Sequence, residues 1–127
     1  MRHFIQPDGL PSASGYSHAV AFSGPMVVVS GQVPVDGLGQ IVGLGDPQAQ
    51  FRQVFENLAT ALAAAGSTMA QVVKLTVYLT NMADLDTFRD VRDEYISAEL
   101  PPASSLVQVA RLVHPGFRVE IEALAAT

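Results

Sequence analysis

The stretch QVVKLTVYLT, residues 71–80, carries the clearest structural signal in the chain because its side chains alternate between apolar and polar. The apolar positions share one side of an extended chain: Val73, Leu75, Val77 and Leu79. The polar positions share the other side: Lys74, Thr76 and Tyr78. A period of two is typical of a strand with one face buried. The stretch therefore predicts a half-buried strand that needs an apolar layer against one of its faces.

Two amphipathic segments on either side of this strand predict the helices that supply the layer. The first begins at Asp46-Pro47, a capping carboxylate followed by a proline suited to the first turn, and ends at Gly66. Its apolar side chains recur at helical spacing: Phe51, Val54, Phe55, Leu58 and Leu62. The second is capped by Asp84 and ends before Pro101-Pro102. Its apolar side chains are Leu85, Phe88, Val91, Tyr95 and Ile96. Both stripes indicate helices that pack on a sheet.

The remaining segments predict further strands around the central one. They are residues 16–22, 26–30, 106–112 and 118–125, with a weaker candidate at 40–44, whereas residues 1–15 read as an irregular arm. We predict an α+β fold with a mixed sheet of about six strands and two helices packed on one face. The uncovered face would hold polar side chains beside apolar neighbours: Lys74, Thr76, Tyr78, Glu120 and Glu122. Such a face is either solvated or packed against a partner subunit.

Composition limits the classes of function that are open. The 127 residues predict a single domain, residues 1–127. Only 15% are charged, compared with about 25% in ordinary soluble domains, so either the surface is unusually neutral or another subunit covers part of it. A net charge of −5 opposes binding to nucleic acid, and the absence of cysteine excludes disulfides and a cysteine nucleophile. With no long apolar run, we expect a cytoplasmic protein without a membrane partner.

Few side chains suggest chemistry on their own. His3, His18 and His114 have no metal-ligand spacing, so we expect no metal site, although His114 stays a candidate acid or base. No nucleotide-binding glycine motif or GxSxG elbow occurs. Glu120 and Glu122 lie on the same face of a strand, roughly 7 Å apart along it. In an interface cleft one carboxylate could act as a general base toward water, but the pair is equally compatible with a solvated strand edge.

Four segments together resemble one family over essentially the whole chain, in order and with matching spacing. They are SGQVPV at 30–35, VVKLTVYLTNMADLDTF at 72–88, PPASSLVQVARL at 101–112 and VEIEALA at 119–125. They resemble the reactive-intermediate deaminase family, also called YjgF/YER057c/UK114 or, in older usage, endoribonuclease L-PSP. The resemblance implies a chorismate-mutase-like fold, a homotrimer with small-molecule pockets between subunits, and cofactor-free hydrolysis of 2-imino acids or their enamine tautomers to 2-keto acids and ammonia.

The same resemblance assigns site residues, and four of them are kept. The glutamate that positions the attacking water corresponds to Glu120, and the pocket tyrosine near the N-terminus corresponds to Tyr16. The Ser-Gly pair that lines the cleft corresponds to Ser30 and Gly31.

Two positions depart from the family pattern. Ser104 stands where the arginine that binds the substrate carboxylate is expected, directly before Ser105 of the same motif, and Arg92 stands where a helix asparagine is expected. The resemblance thus implies that Ser104, Ser105 and Arg92 contact the substrate. A guanidinium binds a carboxylate through two charge-assisted hydrogen bonds. A serine offers one neutral bond, and losing the charged contact costs on the order of 1.5–3 kcal/mol. We therefore expect the ordinary activity on 2-iminobutyrate and 2-iminopropanoate to be weakened.

Three functions from different classes remain open. The first is an imine or enamine deaminase with altered specificity, whose substrate either lacks the usual carboxylate or binds it elsewhere. One hypothesis within this function is that Arg92 or Arg111 binds the carboxylate. Each of these arginines also has a purely structural interpretation, as a helix-surface ion pair or a strand residue. The second is a trimer that binds a small ligand without catalysis. The third and least favoured is an endoribonuclease, because the charge is unsuitable and no pair of acid–base histidines is evident.

Overall fold

The computed structural model describes residues 2–127, which form six strands and two α-helices. In chain order these are β1 (Arg2–Ile5), β2 (Ala19–Phe22), β3 (Met26–Gln32), α1 (Pro47–Ala64), β4 (Val72–Leu79), α2 (Leu85–Tyr95), β5 (Ala103–Gln108) and β6 (Val119–Ala126). Short 3₁₀ helices, Met69–Gln71 and Met82–Asp84, lead into β4 and α2. Within residues 2–127, no helix has the length and apolar character needed to cross a membrane.

Four of the strands form a mixed sheet in the order β3-β6-β4-β5. β4 and β5 run parallel, while β6 is antiparallel to both β3 and β4. β1 and β2 pair separately as an antiparallel ribbon. An isolated bridge between Ser17 and Ala103 attaches the segment before β2 to the edge strand β5, and the Ser17 amide donates to the Pro102 carbonyl at 2.9 Å. The predicted α+β fold with a mixed sheet is confirmed, but the sheet has four strands rather than about six, because β1 and β2 pair only with each other.

The core lies between the sheet and the two helices, which pack on the same face. All five apolar residues predicted for the stripe of α1 are fully buried: Phe51, Val54, Phe55, Leu58 and Leu62. α2 contributes Phe88 and Val91, and the Phe88 ring meets Phe51 edge-on at a centroid distance of 5.5 Å. The strands supply the inward positions of their alternating pattern, including Leu75 and Ile121. Local periodicity alone was sufficient to identify this layer.

The helix termini match the prediction in one helix and differ in the other. The Asp46 carboxylate accepts a hydrogen bond from the Ala49 amide at 3.2 Å, and Gly66, with a φ of 81°, follows the end of α1. Asp84 occupies the N-cap position of α2 but makes no side-chain capping bond. Its carboxylate accepts two hydrogen bonds from Arg118, at 2.8 and 2.9 Å. The predicted N-cap position is therefore correct, but the capping hydrogen bond is replaced, because the guanidinium of Arg118, directly before β6, takes both carboxylate oxygens.

Three strand boundaries also differ from the prediction. β1 lies inside the segment expected to be irregular, and residues 40–44 form no strand beyond a bridge between Val35 and Ile41. The strand expected at residues 106–112 runs from Ala103 to Gln108. Its position follows from parallel pairing with β4, which sets Lys74 opposite Ala103. For β1 and β5 the deciding hydrogen bonds join segments that are distant in sequence.

The face of the sheet opposite the helices, here called the open face, carries no layer from the described chain. Its central positions alternate with the core residues of β4 and β6, and they include Lys74, Thr76, Tyr78, Glu120, Glu122 and Leu124. β3 adds Met26 and Val28, which are 52% and 69% exposed. Apolar side chains exposed together on a sheet face are typical of an interaction surface.

Candidate functional site

A β-bulge between β3 and β6 brings Gly31 against Glu120. Val29 pairs with Ala123 and Gln32 with Ile121, so Ser30 and Gly31 together oppose the single residue Glu122. The extra residue bends β3 toward the carboxylate. A Cβ placed on Gly31 would overlap the Glu120 carboxylate, with the Glu120 Cδ only 2.8 Å away. Glycine at this position is therefore what lets the carboxylate occupy its place on the open face.

The two glutamates of β6 have different surroundings. Tyr78 donates a hydrogen bond from its hydroxyl to Oε1 of Glu122 at 2.7 Å. This bond raises the pKa of Tyr78, and loss of hydration together with the charges of Glu122 and Glu120 raises it further. Glu120 lies opposite Tyr78 in the register of the sheet and is half-buried, yet within residues 2–127 no group donates a hydrogen bond to it. Glu120 is the carboxylate that is available to hold a water molecule.

A cavity of about 340 Å³ lies on the helix side of the molecule, between β5, α2 and the segment before β2. It contains three of the predicted site residues, Tyr16, Arg92 and Ser104. Its other lining residues are Ser14, Met82, Leu85, Phe88, Arg89 and Leu106. One part of the wall is thus apolar and the other carries hydroxyl and guanidinium groups, as in many small-molecule pockets.

Arg92 is held in this cavity by its surroundings. Its side chain is only 14% exposed, and Nη2 lies 3.0 Å from Oδ1 of Asp93. The guanidinium packs against Gly15, whose φ of +79° and missing Cβ leave the space that it fills. A positive φ favours glycine. Both the backbone conformation of this turn and the position of the Arg92 side chain therefore depend on Gly15.

Ser104 and Ser105 point to opposite faces of the sheet because they are neighbours on a strand. Ser104 pairs with the buried Leu75 and lines the cavity on the helix side. Ser105 pairs with Thr76 on the open face, and its hydroxyl accepts a hydrogen bond from Nζ of Lys74 at 2.9 Å. Sequence reasoning assigned both serines to one ligand, whereas in a single chain they lie on different surfaces.

The predicted site residues therefore form two groups in one chain. One group is the cavity with Tyr16, Arg92 and Ser104. The other is the open-face group of Ser30, Gly31 and Glu120. Ser105 belongs to neither group, although its side chain points to the open face. Neither Glu120 nor Gly31 lines the cavity.

Two other candidates take part in local structure. The Arg111 guanidinium donates to the carbonyl groups of Leu112 and Val113 at 3.2 and 3.5 Å, and it does not line the cavity. Nδ1 of His114 accepts a hydrogen bond from the Gly116 amide at 2.9 Å and so fixes its own loop. Among the residues that the structure describes, no group of three or more His, Asp or Glu is placed to hold a metal ion.

Sequence reasoning missed Arg89 and the apolar wall of the cavity. Arg89 reads in the sequence as part of a solvated helix face with alternating charges. Its spacing of three residues from Arg92 was the available signal, since such residues share a helix face. Met82, Leu85 and Leu106 read as core residues, and only the fold shows that they border an open space.

Comparisons with known proteins extend over nearly the whole chain. The sequence model of the family described as Endoribonuclease L-PSP matches residues 7–127. Protein DfrA of Myxococcus xanthus is 39% identical over 128 residues, which cover 99% of this chain and 96% of that protein. The 2-iminobutanoate/2-iminopropanoate deaminase of Mus musculus is 39% identical over 127 residues, which cover 98% and 91% respectively. The crystal structure of YyfB from Yersinia pestis, a protein of the conserved Rid family, matches with a TM-score of 0.91 at 36% identity and covers 99% of this chain and 98% of its own.

Proposed function

Because the chain belongs to the endoribonuclease L-PSP family, which includes the reactive-intermediate deaminases, we propose that it hydrolyses the C=N bond of a small imine or enamine metabolite. The predicted family and its chorismate-mutase-like fold are confirmed by these matches. The observation that carries the proposal is the Glu120 carboxylate, which lies against Gly31 without an intramolecular hydrogen bond among the described residues.

In the proposed reaction Glu120 acts as a general base toward water. The water oxygen bonds to the imine carbon while a water proton passes to the carboxylate and from there to the imine nitrogen, which gives a neutral carbinolamine. The carboxylate then takes the hydroxyl proton and passes it to nitrogen, so that the C–N bond breaks, ammonia leaves and the oxygen becomes the carbonyl of the product. One imine and one water thus yield one keto compound and one ammonia. Proton transfer by a positioned side chain contributes about 10²–10⁴-fold to a rate.

We propose further that the working pocket forms between subunits of a homotrimer. Within one chain the group that activates water and the cavity that would hold the substrate lie on different surfaces. A second copy that places its open face beside the cavity would bring them together. The exposed Met26 and Val28, and the small share of charged residues, support packing of this face against another copy.

The pocket is expected to have altered specificity because the cavity contains Ser104, at the position where the resemblance to the family predicts an arginine. Ser104 provides a hydroxyl and leaves the carboxylate of the substrate to another group. Arg92, in the same cavity and largely shielded from solvent, is the candidate for that role.

The test is the rate of keto-acid release from an imine generated in place. A pyridoxal-phosphate dehydratase acting on threonine or serine supplies 2-iminobutyrate or 2-aminoacrylate, and release is compared with uncatalysed hydrolysis. For any imine that the protein accelerates, Glu120→Gln should lower kcat/KM by at least about 100-fold. The matched control is Glu122→Gln on the same strand face, which should stay within about threefold. An active Glu120→Gln variant would contradict the proposed chemistry.

Ser104 also supports a second candidate, a trimer that binds a small ligand without catalysis. The substitution Ser104→Arg distinguishes the two candidate functions in the same assay. A deaminase with altered specificity accelerates some imines before the substitution and gains activity toward 2-iminobutyrate after it. A binding protein is silent in both forms. An endoribonuclease is not proposed, since a net charge of −5 opposes attraction to phosphates.

A further inference from the structure

The cavity beside α2 has an unusual charge distribution for this chain. The chain has seven basic residues and twelve acidic ones. Two arginines, Arg89 and Arg92, nevertheless line this cavity, and none of its lining residues within 2–127 carries a carboxylate. A cavity bordered only by positive charge attracts anions, and low-dielectric walls strengthen that attraction.

The two guanidinium groups are held differently. Arg92 is 14% exposed and is fixed by Asp93 at 3.0 Å and by the turn at Gly15. Arg89 is 54% exposed, and its ion pair with Asp86 is long, at 3.9 Å, to a carboxylate that is 98% exposed. Such a pair is weak and is readily exchanged for a better partner. Arg89 therefore has donors available at the mouth of the cavity, while Arg92 supplies a fixed donor inside it.

Their spacing suits two separate anionic groups on one small molecule. Residues three apart on a helix have Cβ atoms roughly 5–6 Å apart, and long arginine side chains can extend that separation. Leu85 and Phe88 of the same helix also line the cavity and add apolar surface to the two guanidinium groups. A short chain of methylene groups with a carboxylate at each end suits a cavity that combines apolar surface with two separate cations.

We propose that Arg89 determines specificity by binding a second carboxylate, so that the preferred substrate is a dicarboxylic 2-imino acid. Arg92 binds the carboxylate next to the imine carbon, and Arg89 binds the distal one. This inference rests on the proposed deaminase function for the identity of the substrate. It adds that the site selects substrates whose side chain ends in a carboxylate.

The experiment compares two keto acids that differ only at the distal end. 2-Oxoglutarate has a carboxylate where 2-oxopentanoate has a methyl group, and both are stable analogues of deamination products. Isothermal titration of the parent protein should show 2-oxoglutarate binding about tenfold more tightly. Arg89→Gln should abolish this preference and leave the affinity for 2-oxopentanoate within about twofold. Arg92→Gln should weaken the binding of both ligands.

The matched control is Arg52→Gln, because Arg52 pairs with Glu94 between the two helices and does not line the cavity. It should leave the preference unchanged. Equal affinities in the parent protein, no measurable binding of either ligand, or a preference that survives Arg89→Gln would overturn the inference. So would a change of assembly mass in Arg89→Gln, which would assign Arg89 to a subunit contact. Since binding of keto acids needs no turnover, failure here and failure of the Glu120 assay are distinguishable.

Discussion

The helix-covered face of the sheet and the open face are built by the same strands, yet their side chains do different things. On β4, Leu75 and Val77 are about 1% exposed beneath the helices, while Thr76 and Tyr78, which alternate with them, are only half-buried. On β6, Ile121 is fully buried and Glu120 faces the opposite way. One face thus holds the core, and the other holds the carboxylate, the bulge and the exposed apolar patch.

The difference arises because successive side chains of each strand point to opposite faces, so one face stabilises the fold and the other is available for function. Side chains on the covered face gain stability by leaving water, which is worth about 1.5–3 kcal/mol for a fully buried aliphatic residue. Side chains on the open face gain little within one chain and are free to serve assembly and chemistry. Substitutions on the two faces should therefore affect different measurements.

The largest effect is expected from a charge placed on the open face. Val28→Asp should convert the proposed trimer to monomers, because each subunit would carry an unpaired carboxylate into the interface, at several kcal/mol per ion. Since Val28 is 69% exposed in one chain, the monomer should still fold. Light scattering should give a mass near 13.4 kDa for the variant and near three times that value for the parent. A parent that is already monomeric would remove the basis of the interface proposal.

A substitution on the covered face should instead reduce the stability of the fold. Leu75→Ala should lower the free energy of unfolding by about 2–5 kcal/mol, since it leaves a cavity beneath the helices. Its neighbour provides the control, because Thr76→Ala should change that free energy by less than about 0.5 kcal/mol. Urea denaturation of both variants in the Val28→Asp background measures the effect without contributions from assembly. Similar losses in the two variants would contradict the division between the faces.

The smallest effect on folding, with a selective effect on activity, is expected at the bulge. Gly31→Ala introduces a Cβ into the space of the Glu120 carboxylate, whose flexible side chain can move away. The free energy of unfolding should change by less than about 1 kcal/mol, while deamination falls about tenfold or more. Gly37→Ala is the control, since nothing lies within 4 Å of a Cβ there. Unchanged kcat/KM in Gly31→Ala would show that the position of Glu120 is not critical.

Local patterns in the sequence predicted most of the covered face. The stripe of α1 and the alternation of β4 are set by residues a few positions apart, so the periodicity was sufficient. The cap at Asp46 and the glycine at residue 66 were predicted for the same reason. β1 and the true start of β5 were not, because their hydrogen bonds are made with β2 and with β4 rather than with neighbouring residues.

The candidate site was predicted less completely. The resemblance supplied Glu120, Gly31 and Tyr16, but residue types alone could not show that they lie on two surfaces of one chain. The opposite orientations of Ser104 and Ser105 follow from strand alternation, which becomes usable only when the strand boundaries are known. Arg89 was overlooked because its charge pattern fits a solvated helix equally well. Asp84 was read as a cap because its partner Arg118 lies 34 residues away.

That pair of Asp84 and Arg118 has a consequence for how such a protein can diverge. Asp84 stands at the start of α2, which carries the residues that would select the substrate, and Arg118 stands two positions before Glu120. The hydrogen bonds to Asp84 raise the pKa of Arg118. The pair connects the start of α2 to the residue directly before β6. Residues that line the cavity can therefore be exchanged over evolutionary time to suit a new metabolite, provided that this one connection is inherited intact.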